Sequence, residues 1–240
     1  VKVKLIQSTN NVLDIMHTAC RTCYSEYDAE ELYDKVTQPY ESEADRVDKL
    51  IKRQNLILKV LRSNHMSIAE HIYLTFTIDG ITRKTSHQLV RHRMNVYSQK
   101  SQRYVTYHKP FTYSVPPSVD RNKQYHISGD YEDGTYMSYD DLMDAIQQMY
   151  NRMIDEGIPA EDARDIFPNA CHTSIVMSCN LRQFIHMCNE RLCLRAQTEI
   201  REMFALMCSE VLDNPEFEFL GEFFTAHCKT CTEFDGCKKG

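Results

Sequence analysis

Seven of the 240 residues are glycine, and none stands in a Gly-x-Gly-x-x-Gly fingerprint or a Walker-type phosphate loop. Those loops work because glycine lets backbone N–H groups close on a phosphate. A chain without them is shut out of the Rossmann and P-loop ways of holding a nucleotide. Any phosphate it binds must be gripped by side chains, which narrows the search to arginines, hydroxyls and imidazoles.

Such side chains are concentrated in one place. Between Gly80 and Val119 there is no Asp or Glu, while Arg83, Lys84, Arg91, Arg93, Lys100, Arg103 and Lys109 all fall there. The chain as a whole has a formal net charge of -6, so this basic field is local. At its centre is RHRMNVYSQKSQRY, Arg91 to Tyr104, which packs Arg91, His92, Arg93, Ser98, Ser101 and Arg103 together with Tyr97 and Tyr104. A concentrated positive site on an acidic body suits small phosphorylated ligands better than a nucleic-acid backbone, which favours a generally basic domain.

Apolar residues at 42% and charged residues at 26% are those of a folded water-soluble chain, long enough for one large domain or two small ones. No apolar run approaches the roughly 20 residues of a membrane span. The start, VKVKLIQSTN, lacks the apolar core of a secretory signal, so a cytoplasmic protein with reduced thiols is expected from its ten cysteines. The tail offers His227, Cys228, Cys231 and Cys237. Cys237 stands alone where a zinc site wants a second ligand pair, so no metal is assigned.

Periodicity predicts an α+β chain without internal repeats. Ser42 to Asn64 reads as an amphipathic helix through Val47, Leu50, Ile51, Leu58 and Leu61. His71 to Ile78 alternates as a strand with Ile72, Leu74, Phe76 and Ile78 inward, and Asp79-Gly80 should turn the chain. Thr82 to about His92 reads as a short helix, the Arg-rich motif as loop, and Thr106 to Gly134 as irregular connection. Ser138 to Glu156 is a helix capped by Ser138 and Asp141, striped by Leu142, Ile146, Met149 and Met153 and stopped by Gly157. Pro159 opens a short helix to Phe167. Cys171 to Cys179 is a strand, Asn180 an N-cap for the helix Leu181 to Leu192, and a last helix faces inward through Ile200, Phe204, Met207 and Val211.

The helix after Asn180 carries a second polar cluster. Arg182, His186 and Asn189 share one face, and Leu181, Phe184, Ile185 and Cys188 take the other. Asn180 and Arg182 follow a strand end, a place where ligand contacts are presented. Arg164 has Glu161 and Asp165 as neighbours, its expected ion-pair partners. His65, His71 and His92 are acid–base or cofactor candidates by residue type.

The string Arg91-His92-Arg93, seven residues, then Ser101, continued by Arg103-Tyr104, resembles the signature of the flavin-dependent thymidylate synthases, the ThyX family. The likeness extends to CRTCYS at Cys20 to Ser25, to His65-Met-Ser-Ile-Ala-Glu70-His71, to Gln88, to Ala163-Arg164 before a proline, and to Asn180-Leu-Arg182, Asn189-Glu-Arg191 and Ala196-Gln197, covering residues 20 to 212.

The resemblance implies an α+β fold with a central, mainly antiparallel sheet flanked by helices, one domain over 1–220 and a Cys-containing tail over 221–240. It implies a homotetramer with active sites at subunit interfaces. The implied reaction converts dUMP to dTMP, with 5,10-methylenetetrahydrofolate as carbon donor and NADPH as reductant through FAD. By the family pattern His65, Ser67, Arg91, His92, Arg93, Gln99, Asn180, Arg182 and His186 contact FAD, with Cys23 or Ser25 as an early flavin contact. Gln88, Gln99, Lys100, Ser101, Gln102, Arg103, Arg164 and Arg191 contact dUMP, Arg191 from another subunit. Arg191 and Ser101 are the catalytic candidates, acting through phosphate grip. Ser101 has no adjoining base and is not read as a nucleophile.

Three positions depart from the pattern: Gln99 where some relatives have Glu, His186 where Asn is common, and Arg195 where His is common. The chief rival is a single-strand-binding module using a basic aromatic stripe from Arg91 to Tyr107. A zinc-tail interaction protein and a synthase with a cysteine nucleophile are further rivals.

Overall fold

The computed structural model describes residues 1–104 and 109–228, together with Cys231 and Cys237. The chain forms two compact units, one from Val1–Ile78, Leu89–Tyr97 and Val176–Gly240, the other from Asp79–Gln88 and Ser98–Ile175. The architecture is α+β, an antiparallel sheet flanked by helices. Four strands, β1 (Lys2–Ser8), β2 (Tyr73–Thr82), β3 (Val96–Gln99) and β6 (His172–Asn180), form one sheet in the order β1-β2-β6-β3. Two more, β4 (Tyr125–Ser128) and β5 (Thr135–Met137), pair with each other.

In the first unit the alternation of β2 is realised. Ile72, Leu74, Phe76 and Ile78 are fully buried while Tyr73 faces out. Against them packs α7 (Leu181–Arg191), whose Asn180 cap accepts from the Gln183 N–H at 2.8 Å. Leu181, Phe184, Ile185 and Cys188 are buried, and Phe184 stacks on Phe76 with ring centroids 5.6 Å apart. α8 (Thr198–Leu212) buries Ile200, Phe204, Met207 and Val211 as its spacing predicts.

The other helices of this unit are α1 (Val12–Thr22), α2 (Ala29–Thr37) and α3 (Glu43–Arg62). α3 is capped by Ser42, and its inner face matches the predicted one only in part: Leu61 is buried and Leu50 and Leu58 are half-buried. Val47 and Ile51 are 46% and 51% exposed, and the buried line is Arg53, Ile57 and Leu61. Arg53 is tolerated there because Asp14 on α1 pairs with it at 2.9 Å and Tyr40 adds a hydroxyl acceptor.

The remaining helices are α4 (Arg83–Leu89), α5 (Tyr139–Asp155) and α6 (Ala160–Ala163). Asp79-Gly80 does not turn the chain: β2 runs through it to Thr82, with Gly80 at φ 72°, a left-handed conformation that glycine adopts without strain. The Arg-rich motif contains β3, and 106–134 is not wholly irregular, since β4 pairs antiparallel with β5 in the register Tyr125↔Met137. α5 has the predicted capping box between Ser138 and Asp141. Its buried line is Met143, Gln147 and Tyr150, while Leu142 and Met149 of the predicted stripe are 41% and 56% exposed. Gln147 can be buried because its side-chain oxygen accepts the Phe111 N–H at 2.9 Å and its amide donates to Asn151 at 2.8 Å. Pro159 stands at the N-cap of α6, and a 3-10 turn, Arg164–Ile166, follows.

All ten cysteines are free thiols. Among the described residues no helix is long and apolar enough to cross a membrane.

Candidate functional site

In the first unit a cleft of about 640 Å³ opens beside the outer face of α7. Asn180, Arg182, His186 and Asn189 line it, so the polar face read from the spacing points into one space. Apolar lining comes from Leu61, Met66, Met94, Ile185 and Phe223. Glu70 is the lining carboxylate and forms an ion pair with Arg182. Both side chains are about half exposed, a setting in which such a pair contributes roughly 0–1 kcal/mol, so an anionic ligand can compete for the guanidinium.

The Arg91–Arg93 triplet follows α4. Arg91 and Arg93 are exposed; His92 is buried. Arg191, at the end of α7, donates its Nε proton to His92 Nε2 at 2.9 Å. Nε2 is therefore the acceptor, and the imidazole proton sits on Nδ1. Burial, then the positive charge of Arg191, and then His186 push the His92 pKa down to about 4. Between about 4 and the ordinary 6.5 the unfolded chain binds more protons at this site. Stability therefore falls as pH drops through that window. Replacing Arg191 by Gln should move the His92 titration, followed by NMR, part of the way back up toward 6.5. An unmoved titration would assign the whole effect to burial.

Tyr97, interleaved in the motif, is pinned rather than offered for stacking. Its hydroxyl lies 2.8 Å from the Leu89 carbonyl and 3.1 Å from that of His92, and accepts from Asn95 at 2.8 Å. This removes one aromatic from the stripe envisaged for single strands. Residues 105–107 of that stripe lie outside the described residues.

His65 precedes the 3-10 turn Met66–His71 and is exposed, as is Ser67. Ser67 and His71 line a second, mostly apolar cleft of about 450 Å³ with Thr22, Cys23 and Tyr33. Cys23 faces this space. Ser25 instead caps its own turn, accepting from the Tyr27 N–H at 3.2 Å.

The second unit holds Gln88, Gln99 to Arg103 and Arg164. Gln99 donates to Ser86 at 2.9 Å and Thr173 at 3.3 Å, and the Lys100 N–H donates to the Ser174 carbonyl at 2.8 Å. Gln102 is buried, its amide on the Cys171 sulfur. The Ser101 hydroxyl accepts the Arg103 N–H at 3.1 Å, which leaves the hydroxyl proton to donate elsewhere. Arg103 pairs with the Glu161 carboxylate at 2.5 Å, and Arg164 donates its Nε proton to the Glu161 carbonyl at 2.9 Å. The expected pairing of Arg164 with the Glu161 carboxylate is thus corrected: the carboxylate goes to Arg103, because Arg164 reaches only the backbone of its own turn. One residue gathers both arginines.

Residue spacing did not single out Glu161, Glu70 or Phe223. Glu70 lay inside a quoted motif and Glu161 beside Arg164, but Phe223 carries no local signal. The tail histidine is also otherwise engaged, since His227 Nδ1 meets the Asn189 carbonyl at 2.7 Å. Among the described residues no group of three His, Cys, Asp or Glu side chains is placed to hold a metal ion.

Residues 4–214 match the family described as thymidylate synthase complementing protein, Thy1. A flavin-dependent thymidylate synthase of Clostridium tetani is 36% identical over 220 residues, covering 88% of this chain and 82% of that protein. One of Geobacter sulfurreducens is 36% identical over 204 residues, covering 85% and 78%. Among solved structures, the Helicobacter pylori flavin-dependent thymidylate synthase complexed with FAD and dUMP aligns with a TM-score of 0.63, at 21% identity, over 94% of this chain and 100% of that one. A UMP/dUMP methylase of Streptomyces cacaoi bound with 5-Br dUMP gives a TM-score of 0.66 at 23% identity over 93% of each. At these identities the structural likeness carries the fold.

Proposed function

The chain belongs to the flavin-dependent thymidylate synthase family, and from that premise we propose that it methylates dUMP to dTMP using 5,10-methylenetetrahydrofolate, NADPH and FAD. The observation that carries the reading is the outer face of α7, which presents Asn180, Arg182, His186 and Asn189 to a single cleft. Its volume of about 640 Å³ lies within the range of cofactor pockets, roughly 300–1,000 Å³. Its donor set, one guanidinium with amides and an imidazole beside apolar walls, fits a ligand that is both phosphorylated and aromatic. FAD fits these residues, and when bound it supplies the hydride chemistry.

The protein's own part is binding and orientation. Arg182 and Asn180 hold the cofactor, with His65, Ser67, Arg91, His92, Arg93, Gln99 and His186 as further contacts, and Cys23 rather than Ser25 as the early one. Ser101 and Arg103 grip the dUMP phosphate, with Gln88, Gln99, Lys100, Gln102 and Arg164 orienting the nucleotide. Arg191 adds its charge from a neighbouring subunit of a homotetramer. The synthase domain spans 1–220, the Cys-containing tail 221–240 packs its first residues back onto that domain, and the enzyme works in the cytoplasm.

Ser101→Ala is expected to raise the dUMP Kd about 10–100-fold, the loss of one charge-assisted hydrogen bond, and to keep turnover at saturating dUMP. Complete loss of turnover with flavin retained would instead make Ser101 a nucleophile. The reading itself is tested by the visible spectrum of the purified protein, before and after anaerobic NADPH, with dUMP, UMP or neither. A flavin band that bleaches and is perturbed by dUMP is the expected result. A colourless protein that takes up no added FAD would overturn it.

A further inference from the structure

The family match ends at residue 214, yet Phe223 lines the α7 cleft and His227 bonds to the last turn of α7. We propose that the segment Glu218–His227 is a wall of the cofactor cleft. Phe223 packs against a planar ring of the bound flavin dinucleotide, and His227 is a positioning residue for the end of α7. The inference rests on the flavin reading above and extends it to residues outside the family match.

Four anchors set this segment against the rest of the first unit. Glu222 pairs with Arg62 at the end of α3, 2.8 Å apart. Phe224 is buried edge-on against Phe184, with ring centroids 5.3 Å apart and planes at 70°. Leu220 is fully buried. With its neighbours held inward or in ion pairs, Phe223 is left half-buried at the cleft wall. A phenyl ring in that position leaves apolar surface in water, which a planar heteroaromatic ring can cover by stacking or edge contact. The same cleft is lined by Arg182, which serves the phosphates of the same ligand.

The fourth anchor is a pair of hydrogen bonds to a helix end. The last four carbonyls of a helix have no partner within it. In α7 the Asn189 carbonyl is one of these, and His227 satisfies it twice, through Nδ1–H at 2.7 Å and the backbone N–H at 3.4 Å. The Asn189 side chain lines the cleft, and two residues later Arg191 holds His92. Fixing that turn fixes both groups.

The test is a fluorescence titration of the flavin-free full-length protein with FAD, alongside thermal melting without ligand. Phe223→Ala and His227→Ala should each weaken FAD binding about tenfold or more, the scale of about 1.4 kcal/mol of lost contact. Phe223→Tyr keeps the ring, and His227→Asn keeps a side-chain N–H; both should restore binding to near wild type. If Phe223→Ala does not fold, Phe223→Leu keeps apolar volume without the π face and decides the same question. Wild-type affinity in the folded Phe223→Ala or Phe223→Leu variant overturns the wall. Wild-type affinity in His227→Ala, or no recovery in His227→Asn, overturns the positioning role. A wild-type protein that binds no FAD overturns the flavin reading and this inference with it.

Discussion

Phe184→Ala should cost about 3–5 kcal/mol of stability, the range for truncating a fully buried aromatic. Its ring lies between Phe76 of β2, 5.6 Å away and nearly parallel, and Phe224, 5.3 Å away and edge-on. Removing it opens a cavity under α7, directly behind the face that carries Arg182 and His186. The loss should therefore appear twice, as a lower midpoint in urea and as weaker FAD binding at temperatures where the fold survives. Leu142→Ala is the control. The sequence stripe places Leu142 inside, but it is 41% exposed, so its change should stay within about 0.5 kcal/mol. Equal midpoints for the two variants would contradict this account of the core.

Arg103→Ala should raise the Kd for dUMP by about 100-fold or more. The substitution deletes a charge-assisted donor, of the order of 1.5–3 kcal/mol. It also leaves the Glu161 carboxylate, now without Arg103, beside the place where a phosphate would sit. Adding Glu161→Gln to Arg103→Ala should recover part of the loss, while Glu161→Gln alone should have a smaller effect than Arg103→Ala. Arg103 and Glu161 are both substantially exposed, so their own pairing is weak and a phosphate dianion can displace it. A double variant no better than Arg103→Ala, measured by dUMP titration, would show that Glu161 does not face the nucleotide. It would then act only through the backbone carbonyl that holds Arg164.

The two corrections to the helices share a cause. In α3 and α5 the buried line includes a polar residue, so apolar periodicity cannot point to it. Arg53 and Gln147 look like solvent-facing residues by type. Both are buried because a distant residue satisfies them, Asp14 for one and the Phe111 N–H for the other. The β4–β5 hairpin was hidden for a related reason: Thr106 to Gly134 is rich in turn-forming residues, and strand pairing over so few residues leaves little alternation to read.

The chain alone determined that any phosphate it holds must be met by side chains, since it has no glycine-rich phosphate loop to offer, and it concentrates seven cations in one acid-free stretch. It also determined the polar face of α7, because 3.6 residues per turn place Arg182, His186 and Asn189 together in any helix. Tertiary structure alone decided which groups hold those residues. The Arg191 bond to His92, the Glu161 pairing with Arg103 and the His227 bond to the last turn of α7 span from 38 to 99 positions along the chain. Such partners come within a few ångströms only when packing brings their elements together, and no local pattern of residues records that distance.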